Sequence, residues 1–440
     1  MNSLKIENIE QQIKILFDQW VEEREKQIES SPKIRYSGPK LDKDDYGNML
    51  DAIFKDWWSG GGYTIKAERK LAEVSQRNHG LLANSGSSAN LMLMAAAKEL
   101  YFKDGDKILT LSCGFPTTVN PIITNRLRPL FVDIDIDTLN LSADTLEKAL
   151  EWDKEIKGVF VAHTLGFHDD IDAILDVARK YNVQVFFDCC DAYGTTYKYK
   201  PIQKYGKAAT FSFYVAHHIT MGEGGGVVTN DDDLHLLMRS FRGWGRYCAL
   251  PECCVRSERP DAFCPPTKYS PNADLPEDYM VNYQFEFLGY NLKPLDLQAA
   301  ILLSQLDKLD KFGTERRRNY FQLKDYFRNN NRFNFKLWDC DNQVSPFAFP
   351  LMMPKDAPFQ RKHLINHLKI NKIESRVLFG GNLMRHPAYM NNSSLWNRFG
   401  EHKNSDEIVD NFLMLGVSQV NNRDRTQRII ECIDDFLKGW

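Results

Sequence analysis

In Gln184-Val185-Phe186-Phe187-Asp188-Cys189-Cys190-Asp191 (QVFFDCCD), the strand-like run Gln184 to Phe187 is short and apolar and stops on a carboxylate, Asp188. Consecutive apolar residues with no polar alternation describe a strand covered on both faces. The same kind of run recurs at Lys107 to Leu111 (KILTL), Arg128 to Val132 (RPLFV), Gly158 to Ala162 (GVFVA), Ala209 to Phe213 (ATFSF) and Gly226 to Thr229 (GVVT). Helix-like stretches such as Ala89 to Leu100 and Asp170 to Tyr181 lie between several of them. Strands alternating with helices predict an α/β fold around a largely parallel sheet. Ligands of such sheets gather at the carboxyl ends of strands, which makes Asp188 either a site acid or an ordinary acidic turn residue.

Further out, Asp296 to Lys311 has helix periodicity, and the chain from Arg316 onward reads as a smaller α+β unit with strands near Phe335 and Phe347. The expected division is therefore 1–310 for an N-terminal helix and a large α/β domain, with a cysteine-rich loop at about 246–270. Residues 311–440 form a small C-terminal α+β domain. Leu4, Ile6, Ile9, Ile13, Leu16, Phe17 and Trp20 fall near helical spacing, so the first thirty residues predict an amphipathic helix that packs on the rest as scaffold.

The chain's 440 residues carry 56 Lys and Arg against 59 Asp and Glu, with no basic run, which argues against an extended nucleic-acid surface. The longest apolar run, Leu91 to Ala97, is far short of the roughly 20 residues that cross a bilayer. Glu7 and Glu10 break any secretory signal pattern, so a cytoplasmic protein is expected. The nine cysteines are unevenly placed: Cys189, Cys190, Cys248, Cys253, Cys254 and Cys264 share one stretch. In a reducing compartment such crowding points to metal or iron–sulfur ligation, or to free thiols filling buried space.

Three more segments bear on chemistry. Asn84-Ser85-Gly86-Ser87-Ser88-Ala89-Asn90 precedes an apolar helix, so it is either a phosphate cradle or a plain helix cap. Asp188 and Asp191 follow the quoted strand. Ser212 to Gly226 (SFYVAHHITMGEGGG) runs from a strand through His217 and His218 into glycines that permit close backbone approach.

The order SGSSAN, CGFPTTVNPI, DCCDAYG, SFYVAHHITMGEGGG and GYNLKPLDLQAA resembles the vitamin B6 sugar aminotransferase family acting on nucleotide-linked keto sugars, over most of residues 50 to 390. The resemblance implies the type I aminotransferase fold, a pyridoxal or pyridoxamine phosphate cofactor and a homodimer with active sites at the interface. Where ordinary members carry the lysine that holds the cofactor covalently, this chain has His217, and no lysine lies between Lys207 and Lys268. That exchange narrows the resemblance to the branch of 3-dehydratases that lead to 3,6-dideoxysugars.

On this resemblance, His217 is the catalytic base and Asp188 pairs with the pyridine nitrogen. Asp191 approaches the ring hydroxyl, Phe115 stacks on the ring, and Gly86, Ser87 and Ser212 hold the phosphate, with Asn291 reaching it from the partner subunit. The implied substrate is a nucleotide-linked 4-keto-6-deoxyhexose, with CDP as the nucleotide. The cluster-bearing members of the branch imply a [2Fe–2S] centre on Cys190, Cys248, Cys253 and Cys264, with Cys254 as the alternate to Cys253, because Leu250 stands where relatives carry a cysteine. They also imply a flavin and iron–sulfur reductase driven by NAD(P)H. The competing expectations are a cluster-free GDP-sugar dehydratase that uses glutamate, an ordinary aminotransferase, and a non-catalytic protein on the same fold.

Overall fold

The computed structural model describes residues 2–246, 274–276, 279–280, 283–330 and 333–440. Cys248, Cys253, Cys254 and Cys264 lie outside the described residues. In chain order, helices α1 (Asn2–Glu29), α2 (Lys43–Phe54) and α3 (Gly62–Val74) lead into strand β1 (His79–Ala83), α4 (Gly86–Tyr101), β2 (Lys107–Leu111), α5 (Pro116–Thr124) and β3 (Arg128–Val132). Then come α6 (Ala143–Trp152), β4 (Ile156–Ala162), α7 (Ile171–Tyr181), β5 (Gln184–Asp188), the short pair β6 (Thr196–Tyr197) and β7 (Lys200–Pro201), β8 (Ala208–Ser212), β9 (Gly225–Thr229) and α8 (Asp232–Arg242). The C-terminal part holds α9 (Asp296–Leu306), α10 (Leu309–Asn329), β10 (Phe349–Met352), α11 (Arg361–Ile370), β11 (Ser375–Arg376), α12 (Pro387–Met390), β12 (Asn397–Arg398), α13 (Lys403–Asn411), β13 (Phe412–Leu415) and α14 (Arg423–Lys438).

An eight-stranded sheet in the order β1-β9-β8-β5-β4-β2-β3-β12 forms the centre. Pairing is parallel from β8 through β12 and antiparallel where β9 meets β8 and β1. Helices cover both faces of a sheet of this kind, so the strand interiors carry no alternation. Phe160, Phe186, Phe187 and Phe211 are fully buried within it. Ala89, Ala95, Ala96 and Ala97 on α4 are buried as well, and their small side chains let that helix lie close to the sheet.

Every predicted strand of the large domain forms within one or two residues of its expected bounds. The helical run expected over Asp296 to Lys311 breaks instead at Asp307 and Lys308, where Lys308 bonds Asp42 and the buried Asp45 at 2.5 and 2.7 Å. Near Phe335 the described residues form only an isolated bridge, Lys336 with Met352, while the strand expected near Phe347 begins at Phe349. A three-stranded antiparallel sheet, β10-β13-β11, organises the C-terminal part. That part also reaches the large sheet, because β12 pairs with β3 and Asp133 accepts from the N–H groups of Asn404 and Ser405 at the start of α13.

The N-terminal segment is one long helix, as its periodicity predicts, but its packing differs. Leu4, Ile6, Ile9, Leu16 and Trp20 are exposed, and contact with α2 runs through Phe17 and Trp20 against Tyr46 and through the Lys14–Asp51 ion pair. The apolar stripe is thus only partly covered within the protomer.

Candidate active site

The carboxyl ends of β4 and β5, the turn after β8 and the N-terminus of α4 surround a cavity of about 700 Å³. Gly86, Ser87, Phe115, Asp188, Cys190, Asp191, Ser212 and His217 all line it. Asn291 does not. It is exposed, backbone-bridged to Gly243, and accepts from Lys293.

Ser85 caps α4, accepting from the Ser88 N–H, so the first turn of the helix presents backbone N–H groups toward the cavity. Gly86 is required there by crowding: a Cβ at this position would stand 2.6 Å from the Cβ of Ser212 and 3.0 Å from its Oγ. Gly225 leaves equally little space, since its Cβ would meet the carbonyl oxygen of Ser85 at 2.3 Å. Glycines therefore bring the helix terminus and the Ser212 hydroxyl together into a cradle of the size and polarity that suits a phosphate group.

Asp188, at the end of β5, is buried and held by three donors. Asn90 Nδ2 and Thr118 Oγ1 both donate to its Oδ2 at 2.8 Å, and the Cys190 N–H donates to Oδ1 at 3.0 Å. A carboxylate fixed in this way, with an edge on the cavity, has the chemistry to pair with a protonated ring nitrogen. Phe115, half exposed at the N-cap of α5, stands at the rim edge-on to Phe379.

His217 and Asp191 face each other across the cavity floor, with Nδ1 and Oδ1 3.9 Å apart. Burial pushes His217 down to about 4; the Cys190 carbonyl and Asp188 oppose this and Arg316 adds to it. Burial, then the negative Asp188, pushes Asp191 up to about 8 against the N–H of Leu165 and the charge of Arg316. Leu165 offers that N–H from a left-handed conformation, φ 56°. At neutral pH the pair is a free imidazole base beside a protonated carboxylic acid. His218 plays no part in the cavity: it is buried with Nε2 2.9 Å from the Ser345 carbonyl oxygen.

Several residues here escaped the reading of the sequence. Thr118 and Asn90, which hold Asp188, lie inside the quoted motifs CGFPTTVNPI and SGSSAN without a role assigned to them. Arg316 is fully buried and donates to Gln419, to the carbonyls of Pro346 and Phe347, and to the carbonyl of His217 at 3.1 Å. In the sequence it is one of three adjacent arginines on a polar helix, with nothing to single it out. Among the described residues no group of three or more His, Cys, Asp or Glu side chains is placed to hold a metal ion, and of the proposed cluster ligands only Cys190 is described.

A large parallel sheet with a B6-type cradle, an acid at the end of a central strand and a smaller antiparallel sheet defines the fold type I architecture of the pyridoxal phosphate enzymes. The DegT/DnrJ/EryC1/StrS aminotransferase family model matches residues 39–434, and the chain belongs to that family. It is 36% identical over 396 residues to lipopolysaccharide biosynthesis protein RfbH of Salmonella typhimurium, spanning 88% of each chain. It is 34% identical over 416 residues to dTDP-4-dehydro-2,6-dideoxy-D-glucose 3-dehydratase of Saccharopolyspora spinosa, spanning 93% of this chain and 88% of the relative. Among solved structures, E. coli GDP-4-keto-6-deoxy-D-mannose-3-dehydratase with bound hydrated PLP superposes with a TM-score of 0.80 at 26% identity, over 91% of this chain and 99% of that one. No helix among the described residues is long and apolar enough to cross a membrane.

Proposed function

We propose that this chain is a pyridoxamine phosphate-dependent 3-dehydratase of a nucleotide-linked 4-keto-6-deoxyhexose, with CDP as the nucleotide. The observation that carries the reading is His217: a buried imidazole stands in the cavity floor, and no lysine lines the cavity among the described residues. A protein with this floor keeps a proton-transfer group and lacks the amine that would bind the cofactor covalently. Asp188, Ser212 and the glycines remain in place, which a non-catalytic protein would not require.

When bound, pyridoxamine phosphate supplies an amine for the C4 ketone of the sugar and a ring that draws electrons toward its nitrogen. The α4 terminus with Gly86, Ser87 and Ser212 holds its phosphate, Asn291 of the partner subunit completing that site in a homodimer. Asp188 keeps the ring nitrogen protonated, and Phe115 covers one face of the ring. Asp191, protonated at neutral pH, donates a hydrogen bond to the ring oxygen. With the cofactor bound, His217 would be the base that takes and holds a proton at the cavity floor, and the cofactor would supply the electron sink through which the C3 hydroxyl of the sugar is expelled. Burial, with Arg316 adding to it, disfavours the imidazolium, so His217 rests in the form that accepts a proton.

The same reading includes a [2Fe–2S] cluster on Cys190, Cys248, Cys253 (or Cys254) and Cys264, which would deliver electrons from a flavin and iron–sulfur NAD(P)H-dependent reductase. Its support is the crowding of cysteines in the sequence together with the position of Cys190 in the cavity wall, its carbonyl facing His217. Four thiolates are what such a centre requires. Iron and acid-labile sulfide in the purified chain test this directly. Absence of both, with the cofactor regenerated from glutamate, would replace the cluster with the glutamate-driven route.

A further inference from the structure

The cavity offers anions little to meet, except at two places. The carboxylates of Asp188, Glu223 and Glu374 line it beside the protonated Asp191, and among its described lining residues the only Lys or Arg is Arg376. The N-terminus of α4 is taken by the cofactor's phosphate in the proposed function. A second anionic group entering the same cavity has one cation to meet.

Arg376 is well placed to serve as that cation. It belongs to β11, which is pinned to β13 with Arg376 opposite Met414. Its guanidinium lies over the ring of Tyr36, 5.7 Å from the centroid, which orients the planar group. The next residue, Ser37, donates to the carbonyl oxygen of Ala216 at 2.6 Å, immediately before His217 in the chain. The cation and the base are thus joined by one short stretch of fixed backbone. Glu374 pairs with Arg376 at 3.5 Å but shares its carboxylate with Lys33 at 2.6 Å and the Tyr36 N–H at 3.2 Å, so it neutralises the guanidinium only in part; Arg376 also donates to the Ser375 carbonyl at 2.9 Å. The guanidinium keeps donors available, and its side chain is 55% exposed.

We infer that Arg376 is the residue that grips the diphosphate of the sugar nucleotide at the cavity mouth, setting the sugar between itself and His217. The inference rests on the nucleotide-sugar reading above and adds the anchor to it. A planar guanidinium suits a diphosphate because it can bridge two phosphoryl oxygens at once. The nucleoside then lies outside the anchor, so CDP and GDP are held by the same contact.

Calorimetric titration of the pyridoxamine phosphate-loaded chain with CDP, GDP, CMP and inorganic phosphate tests the assignment in wild type, Arg376→Lys and Arg376→Ala. The expected result is a preference of the wild type for diphosphates over CMP and inorganic phosphate. Arg376→Ala should lose that preference and bind the diphosphates at least tenfold more weakly, Arg376→Lys falling between. Cofactor occupancy, read from the absorbance of the bound ring, should stay at the wild-type level in both variants because Arg376 does not touch the phosphate cradle. Unchanged diphosphate affinity in an Arg376→Ala chain that holds its cofactor would overturn the inference, as would inorganic phosphate binding the wild type as tightly as CDP does. A wild-type chain that binds no nucleoside diphosphate and no nucleotide sugar would instead overturn the nucleotide-sugar reading, and this anchor with it.

Discussion

Asp188→Asn is a near-isosteric change whose cost can be worked out from the three donors around the carboxylate. Asn90 and Thr118 converge on Oδ2, and the Cys190 N–H on Oδ1. An amide in the same place has only one oxygen. If that oxygen faces Asn90 and Thr118, its NH2 points at the Cys190 N–H; turned over, the NH2 meets the amide donor of Asn90. Either way two buried donors oppose each other, which costs about 1–3 kcal/mol. The cofactor suffers separately, since a charge-assisted hydrogen bond to the ring nitrogen contributes about 1.5–3 kcal/mol, or roughly 10- to 150-fold in affinity. Thermal unfolding of the cofactor-free chain reads the first effect, and titration with pyridoxamine phosphate followed by absorbance reads the second. A variant that melts with the wild type and binds the cofactor equally well would refute the role given to Asp188.

His217→Asn should retain the cofactor and lose C3–O cleavage; persistent exchange of the C3 oxygen with labelled solvent would remove His217 as the base. Gly86→Ala should weaken cofactor binding because the new methyl collides with Ser212, and overpacking of this sort costs about 1–3 kcal/mol, which a thermal melt also detects. Asp133→Ala removes three hydrogen bonds to α13, from two backbone N–H groups and the Ser405 hydroxyl, and should lower stability by about 1–3 kcal/mol without changing cofactor affinity. Acid should destabilise the cofactor-free chain: burial pushes His163 down to about 3 and His217 to about 4 from 6.5, so between pH 6.5 and 4 the unfolded chain binds the extra protons and stability falls with pH. Asp191, raised to about 8, acts in the opposite direction between pH 3.8 and 8, because there the folded chain is the one that keeps a proton. Burial likewise holds His218 and His402 below the ordinary histidine range, and these histidines together outweigh the one acid, so melting temperatures measured at pH 7, 6 and 5 should decline, and more gently in His217→Asn.

The central strands were readable because each is a buried, mostly apolar run in which only a threonine, Thr110 in β2 and Thr210 in β8, interrupts the interior, and KILTL and RPLFV form over the residues quoted. β1, His79–Ala83, gave no such signal, being a five-residue edge strand with a glycine at its second position. The broken helix at Asp307 depends on Lys308 meeting Asp42 and Asp45 from more than two hundred and fifty residues away in sequence, a contact that periodicity does not encode. The same holds within the site. Asp188 and Ser212 end strands and His217 precedes a glycine-rich stretch, so they carry local marks, whereas Arg316 and Arg376 acquire their meaning only from what the fold sets beside them. The apolar stripe of α1 is the converse case, a periodicity correctly read as helix although α2 covers only part of it among the described residues.

The most direct measurement follows the oxygen at C3. Iron-reconstituted chain is incubated with CDP-4-keto-6-deoxyglucose, pyridoxamine phosphate and a ferredoxin-type reductase supplied with NAD(P)H, and the sugar product is weighed by mass spectrometry. Loss of the C3 oxygen in the wild type and its retention with His217→Asn is the predicted result. A product that keeps this oxygen and gains an amine at C4, or a substrate returned unchanged by a chain fully loaded with cofactor and iron, would contradict it.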